Sequence, residues 1–356
     1  MGLPFSSIDD AVLLTQQQLV KRGAFTDMQT DLTDHVAVRE MWKGRQHKFS
    51  GGFPWEFEAQ VDHNHSARAV ELFETDGAAI NDTMVKGTVE PRHVNAFYLY
   101  DQREPAFQRG GVSIVDLIQT RYTAMMVSLF EYLEGVLWGK PTDSTDVKTP
   151  YGIAYWVTKS ATEGFNGVDP AGFAAGRANI TSVAQPRWAN WAGTYALVST
   201  EDLVRKMRHM HRRIQFRSVV SHAQPVVGSM KNGVYTDDTT IGLLEELIEA
   251  QDTNLGTDLA SRDGRVTFKS SPVVYAPFLD YSTLSGLPID GTHLADHPVY
   301  MLDWNWLAIG VMEGWENQLT APYMVPGKHL VRRIDLDATL QMVCTNLRRQ
   351  GVLYQA

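Results

Sequence analysis

Apolar and polar positions recur along this chain regularly enough to place most of its elements. Ser6 and Ser7 precede Asp9 and Asp10, and Ile8, Val12 and Leu19 follow at near-helical spacing. Gly23 closes the run behind Lys21 and Arg22, the signature of a capped helix of about four turns. Residues Thr26 to Asp34 are too polar to enter a core, so the N-terminus reads as a helix-bearing arm. Next, Phe53, Trp55, Phe57, Ala59 and Val61 fall on one side of a period-two run and Glu56, Glu58, Gln60 and Asp62 on the other, which is a two-faced strand. A second extended run, Thr88 to Tyr100, puts Ala96, Tyr98 and Tyr100 on one side. The stretch of about 25 residues between the two runs is long for a connection inside a compact domain, so together they predict a hairpin that projects from the body.

From Ser113, an N-cap with Asp116 at its third position, apolar residues recur at Ile114, Leu117, Ile118, Met125, Leu129, Leu133, Val136 and Leu137 until Gly139 and Pro141 stop them. This predicts the longest helix of the chain, a beam of about 37 Å at 1.5 Å per residue. Thr, Asp and Pro collect between Lys140 and Pro150 and mark a domain boundary. Beyond it, helices are expected at Glu201 to Phe216 and Thr239 to Ala250, separated by the short apolar run Pro225 to Met230. That alternation suggests a sheet with helices packed on it. Finally Ile334, Leu336, Ala338, Leu340, Met342 and Cys344 alternate with Arg333, Asp335, Asp337, Thr339, Gln341 and Val343, a strand about twice the usual length. The fold class is mixed, α+β.

With 356 residues the chain can bury a sizeable core, as two domains or as one large domain with insertions. Its charged (21%) and apolar (44%) shares exclude a disordered polymer, and the lack of an apolar run of about 18 residues excludes a membrane span, so a soluble protein is expected. A net charge of −9 argues against a surface devoted as a whole to gripping phosphate, while leaving room for a local basic patch. The single cysteine, Cys344, has no partner for an internal disulfide, and with no secretory leader a reducing cytosol is expected. The opening MGLPFS fits a myristoylation pattern through Gly2 and Ser6, but it lacks a polybasic second signal and is set aside.

Candidate chemistry is sparse. His63 and His65 in DHNH, with Asp62 beside them, resemble part of a metal site, but a third and fourth ligand at sensible spacing are missing, and solvated loop histidines are the better reading. Arg205, Lys206, Arg208, Arg212 and Arg213 crowd a helix whose Leu203, Met207, Met210 and Ile214 form a stripe. It reads as an amphipathic helix first and a nucleic-acid contact second. Asp237 with Asp238, and Asp335 with Asp337, are carboxylate pairs that can in principle serve acid and base chemistry; cross-strand pairing with Arg332 or Arg333 accounts better for the second. Trp156, Trp188 and Trp191 offer rings for stacking on a sugar, yet buried packing is the stronger expectation. Cys344 sits on the apolar face of its strand and reads as a small buried hydrophobe. There is no phosphate-binding glycine loop, nucleophile elbow or triad. No catalytic residue, cofactor or metal is therefore assigned, and the chain is not read as an enzyme. Arm, hairpin and beam are instead devices for reaching other subunits.

The order of arm, long hairpin, spine helix, inserted α/β domain and returning strand resembles the major capsid proteins of tailed bacteriophages, whose fold is named after phage Hong Kong ninety-seven. The segments that carry the likeness are YGIAYWV from Tyr151, PRWANW from Pro186, VTFKSSPVVYAPFLD from Val266, PVYMLDWNWL from Pro298 and the closing QMVCTNLRRQGVL. The resemblance implies an N-terminal arm over residues 1–48, an extended loop over 49–100, a peripheral domain with the spine helix over 101–139, an axial domain over 140–325 and a peripheral strand over 326–356. That last strand would lay its apolar face on the spine helix and turn its polar face to solvent or a neighbour.

The resemblance further implies a subunit that self-assembles into hexamers and pentamers of an icosahedral shell. The shell would enclose double-stranded DNA, in a virion assembled in the host cytoplasm. The implied partners are copies of itself, a portal protein, a separate scaffolding protein and a decoration protein, with no membrane involved. Phe53, Trp55, Phe57, Arg68, Glu71 and Lys86 are then candidates for contact between subunits, and Arg205, Arg208, Arg212 and Arg213 for facing the lumen or DNA. The lysine-to-asparagine cross-link of some relatives is not carried over: Lys86 lies near the return of the hairpin, but neither an asparagine partner nor an acidic catalyst can be identified. The alternatives are an encapsulin-type bacterial nanocompartment shell and, from another class, a metal-dependent hydrolase using His63, His65 and Asp62.

Overall fold

The computed structural model describes residues 35–42, 46–62, 69, 71–72, 83–104, 111–214, 232–251, 266–269, 271–280 and 296–356. The expected N-terminal helix, the polar stretch to Asp34, His63, His65, Arg68 and the run Pro225 to Met230 lie outside the described residues.

The short run VAVREMW forms α1 (Val36–Trp42), and β1 (Gln46–Phe49) follows it. Expected to belong to an arm, these residues are built into the body instead. Val36, Ala37, Val38 and Met41 are buried, and β1 pairs in parallel with β11 (Leu307–Met312). The hairpin is also shorter than expected. β2 (Trp55–Gln60) pairs with β3 (Met84–Val89) alone, in a two-stranded sheet of its own. The run read as one strand from Thr88 to Tyr100 divides at Glu90 and Pro91, where proline offers no N–H to continue a ladder. Its second part, β4 (Arg92–Asp101), pairs antiparallel with β14 (Val331–Cys344).

β14 is the hub of a six-stranded sheet, in which β11, β12 (Gln318–Leu319), β13 (Tyr323–Met324) and β4 all pair with it. The alternation of its sequence holds, but its polar face does not look onto solvent or a neighbour. Thr339 and Gln341 are as buried as Leu340 and Met342. Gln341 accepts from Tyr151 N–H at 2.6 Å and donates to the Glu90 carbonyl at 2.8 Å, so loops of the same protomer satisfy it. Asp335 is held by its own strand: Arg333 Nε donates to it at 2.6 Å, and Tyr323 on β13 donates its hydroxyl. Asn95 on β4 donates to Asp337 at 2.6 Å. The arginine pairing expected across strands thus runs along one strand.

The Ser113 recurrence becomes α2 (Gly111–Trp138), 28 residues and about 42 Å long. Tyr122, Met125, Met126, Leu129, Phe130, Leu133 and Leu137 are buried, and the helix lies against β4 and α1. Gly152 seals its end: a Cβ there would lie 2.2 Å from the Gly139 carbonyl oxygen, so only glycine allows the chain to pass this close. Buried Glu134 accepts from Ala37 N–H (2.8 Å), Val38 N–H (2.7 Å) and the Trp138 indole (2.8 Å), capping α1 with a carboxylate from α2. Burial pushes this carboxyl above its ordinary value, against the three donors that favour its charged form.

α3 (Ile153–Trp156) leads into a seven-stranded sheet of order β5-β6-β15-β10-β7-β9-β8. Its strands are β5 (Gly164–Gly167), β6 (Asn190–Tyr195), β7 (Gly233–Thr236), β8 (Thr267–Phe268), β9 (Ser271–Tyr275), β10 (Val299–Leu302) and β15 (Gly351–Gln355). The final segment therefore leaves the first sheet after Cys344 and inserts β15 between β6 and β10, rather than staying with the spine helix. α4 (Leu203–Ile214) packs on β6 and β15, and α5 (Asp238–Gln251) on β9. Trp138 joins the beam to this sheet, with its ring 5.8 Å from Tyr235 and 5.9 Å from Tyr300. One continuous cluster of buried residues consequently runs through both sheets.

Candidate assembly interface

The two-stranded hairpin realises its sequence pattern closely. Glu56, Glu58 and Gln60 are exposed, while Trp55, Ala59 and Val61 are buried against the rest of the protomer. Trp55 stacks on Phe49 with ring centroids 4.2 Å apart, and Phe57 approaches Trp188 at 6.2 Å. Gly87 is required opposite Phe57, because a Cβ there would meet that ring at 2.5 Å. Two further ties hold the base of the hairpin: Thr88 N–H donates to the Ala178 carbonyl at 3.0 Å, and Asn179 donates to the Thr88 hydroxyl.

The expected contact residues therefore divide. Trp55, at 3% exposure, is spent within its own protomer, and partly buried Phe57 follows it. Phe53, at 71%, stands in solvent, as does Glu71. Lys86 forms an exposed ion pair with Glu56 across the hairpin. Arg68 lies outside the described residues.

On α4 the stripe Leu203, Met207, Met210 and Ile214 is buried, and Arg205, Arg208, Arg212 and Arg213 are exposed on the opposite side. Lys206 is engaged by Asp202 at 2.7 Å and by the Thr194 carbonyl at 2.8 Å.

The residues weighed for chemistry take structural positions. Cys344 is fully buried, and burial pushes its thiol up to about 12, which leaves no thiolate for nucleophilic work. Trp156, Trp188 and Trp191 are buried, with the Trp156 indole donating to the Met342 carbonyl at 3.2 Å. Asp237 and Asp238 do not act together: Asp237 pairs with His297, and the Asp238 N–H donates to Asp280 at 2.9 Å. Asp62 is engaged by Arg187 at 3.4 Å. Among the described residues no group of three or more His, Cys, Asp or Glu gathers as metal ligands would, and no helix is long and apolar enough to cross a membrane.

Two structural residues escaped the sequence reading. Glu134 had a signal, since it is a lone charge inside the apolar run Tyr132 to Trp138. Arg177 had none. It is fully buried, where its guanidinium donates to the carbonyls of Trp156 (2.7 Å), Gly167 (2.7 Å) and Trp188 (3.0 Å) and to the Asn190 side chain (2.9 Å). Burial holds it down to about 10.

No protein-family model and no curated protein matches the sequence. Solved structures do. A cyanophage A-1(L) capsid subunit superposes with a TM-score of 0.61 at 14% identity, covering 90% of this chain and 92% of that one. The capsid of a native GTA particle gives 0.54 at 11% identity, covering 90% of each chain. The mature capsid of bacteriophage PhiM1 gives 0.51 at 10% identity, covering 89% of this chain and 87% of that one. The chain has the fold of a phage capsid subunit.

Proposed function

We propose that this chain is the major head protein of a tailed-phage-type particle, self-assembling into the hexamers and pentamers of an icosahedral shell around double-stranded DNA. The observation that carries the reading is full-length agreement with capsid subunits, at TM-scores of 0.51 to 0.61 over about nine-tenths of the chain. A second support is the hairpin, which no strand of either sheet pairs with among the described residues and whose base is preceded by exposed Phe53. In this reading function comes from geometry: many modest contacts per subunit sum by multivalency, and no catalytic step is needed. Phe53 just before the base of the hairpin, Lys86 on β3, and Arg68 and Glu71 in the sequence between β2 and β3 meet the neighbouring copy, while Trp55 and Phe57 set the angle from which the hairpin reaches. Residues 140–325 form the axial domain, completed by β15. Portal, scaffolding and decoration proteins complete the particle, which belongs to the virion and is built in the host cytoplasm. The viral head is preferred to the nanocompartment shell because phage and GTA capsids match at TM-scores above one half.

Negative-stain microscopy of the purified protein tests this. Closed shells, rings or tubes are expected; monodisperse monomers at high concentration, even with a scaffolding protein supplied, would overturn it.

A further inference from the structure

We infer that the α4 face of the seven-stranded sheet binds the phosphate backbone of double-stranded DNA. This rests on the shell reading for the source of the DNA, but the surface is argued from its own residues.

Arg205, Arg208 and Arg212 recur at three- and four-residue spacing and so share one face of α4, opposite the buried stripe. The helix contains no acidic residue. Among the described residues these three arginines meet no carboxylate within ion-pairing distance, although the chain as a whole carries −9. Two nearby acids are already engaged, Asp202 by Lys206 and Glu163 by His209 at 2.7 Å, and Glu201, exposed just before the helix, makes no ion pair with Arg205. A charged helix face that were merely solvated would be expected to carry intermingled acids.

The basic surface also continues beyond the helix. Arg213 Nε reaches His209 at 3.4 Å, and His209 lies against the Trp191 ring at 5.2 Å. Phe165 meets Trp191 edge-on at 5.1 Å, and the Arg348 guanidinium covers Phe165 at 3.9 Å. Arg187 lies near Arg348 and is engaged there by Asp62 at 3.4 Å. The strip is thus formed by the α4 arginines, and ring contacts through His209, Trp191 and Phe165 lead from it to Arg348.

The strip is rigidly mounted. Met210 fills the space that a Cβ at Gly351 of β15 would need, at 2.5 Å, so the helix sits directly on the sheet. Arg205 to Arg212 covers about 10.5 Å of helix axis. That length matches about three phosphates along one DNA strand. Such contacts grip the backbone without reading bases, as a lining that accepts any packaged sequence requires.

The test measures anisotropy of two unrelated duplexes of about 30 base pairs while KCl rises from about 50 to 300 mM. It compares wild type with the triple variants Arg205→Gln/Arg208→Gln/Arg212→Gln and Arg205→Lys/Arg208→Lys/Arg212→Lys. Circular dichroism checks folding and negative stain checks particle formation for each. Wild type should bind both duplexes equally. The glutamine variant should lose at least tenfold in affinity, with a log–log salt slope shallower by about 2.7. The lysine variant, keeping the charges, should stay within a few-fold of wild type, and all three should assemble alike. Absence of salt-dependent binding by wild type at the lowest salt overturns the inference and leaves the shell reading intact. So does a glutamine variant that keeps its DNA affinity but stops assembling, which would give the strip to an acidic surface of a second copy. If wild type forms no particles the shell reading fails, while the anisotropy of the subunits still decides the DNA surface.

Discussion

In β2, Trp55 and Ala59 turn inward while Glu56, Glu58 and Gln60 stand in solvent; in β14, nearly every residue from Ile334 to Cys344 is buried, whichever face it occupies. Both segments alternate apolar and polar residues with period two. The difference lies in the chemistry of the polar set and the partners it finds, for even the buried carboxylate of β14, Asp335, is held by Arg333 and Tyr323. Glu56 and Glu58 would carry a large desolvation cost into a core, so they hold their face in water. Thr339 and Gln341 are neutral donors and acceptors that the surrounding chain can satisfy, as Tyr151, Glu90 and His93 do. Alternation identifies a strand, and the polar residue types decide whether its second face can be covered.

That contrast can be broken at the inner face of the hairpin first. Trp55→Ala should destabilise the protomer by about 3–5 kcal/mol in urea unfolding, because it empties the stack on Phe49. A loss under about 1 kcal/mol would mean that the hairpin is not anchored to the body. Gln341→Ala should cost about 1–3 kcal/mol, since the Tyr151 N–H and the Glu90 carbonyl lose their partner while staying enclosed. Glu58→Ala, its counterpart on the open face of β2, serves as the reference for that measurement. The smallest effect on the protomer is expected at Phe53→Ala, within about 0.5 kcal/mol of wild type. The same change should lower the yield of particles seen by microscopy; unchanged yield would remove Phe53 from the contact between copies.

The elements that declared themselves in the sequence are those whose pattern persists over several turns or many residues. The long helix α2, the stripe Leu203, Met207, Met210 and Ile214, and the length of β14 all follow from periodicity alone. Short elements did not. α1 is seven residues long, and its place in the core depends on Glu134, nearly a hundred residues away. The partition of Thr88 to Tyr100 between hairpin and sheet turns on Pro91, which an alternation count passes over. GVLYQ reads as a buried strand, but nothing within five residues states which sheet will receive it. For the candidate surface, composition pointed to the arginines of α4, whereas the division between spent Trp55 and available Phe53 required the position of Phe49.

The position of β15 also bears on how the subunit is made. β6 and β10 are both synthesised before Gly351, yet among the described residues they form no ladder with each other and each pairs with β15. Until that segment is delivered, the seven-stranded sheet is two half-sheets, each with an unpaired hydrogen-bonding edge. A chain that stops short of Gly351 lacks the strand that joins the two halves of this sheet.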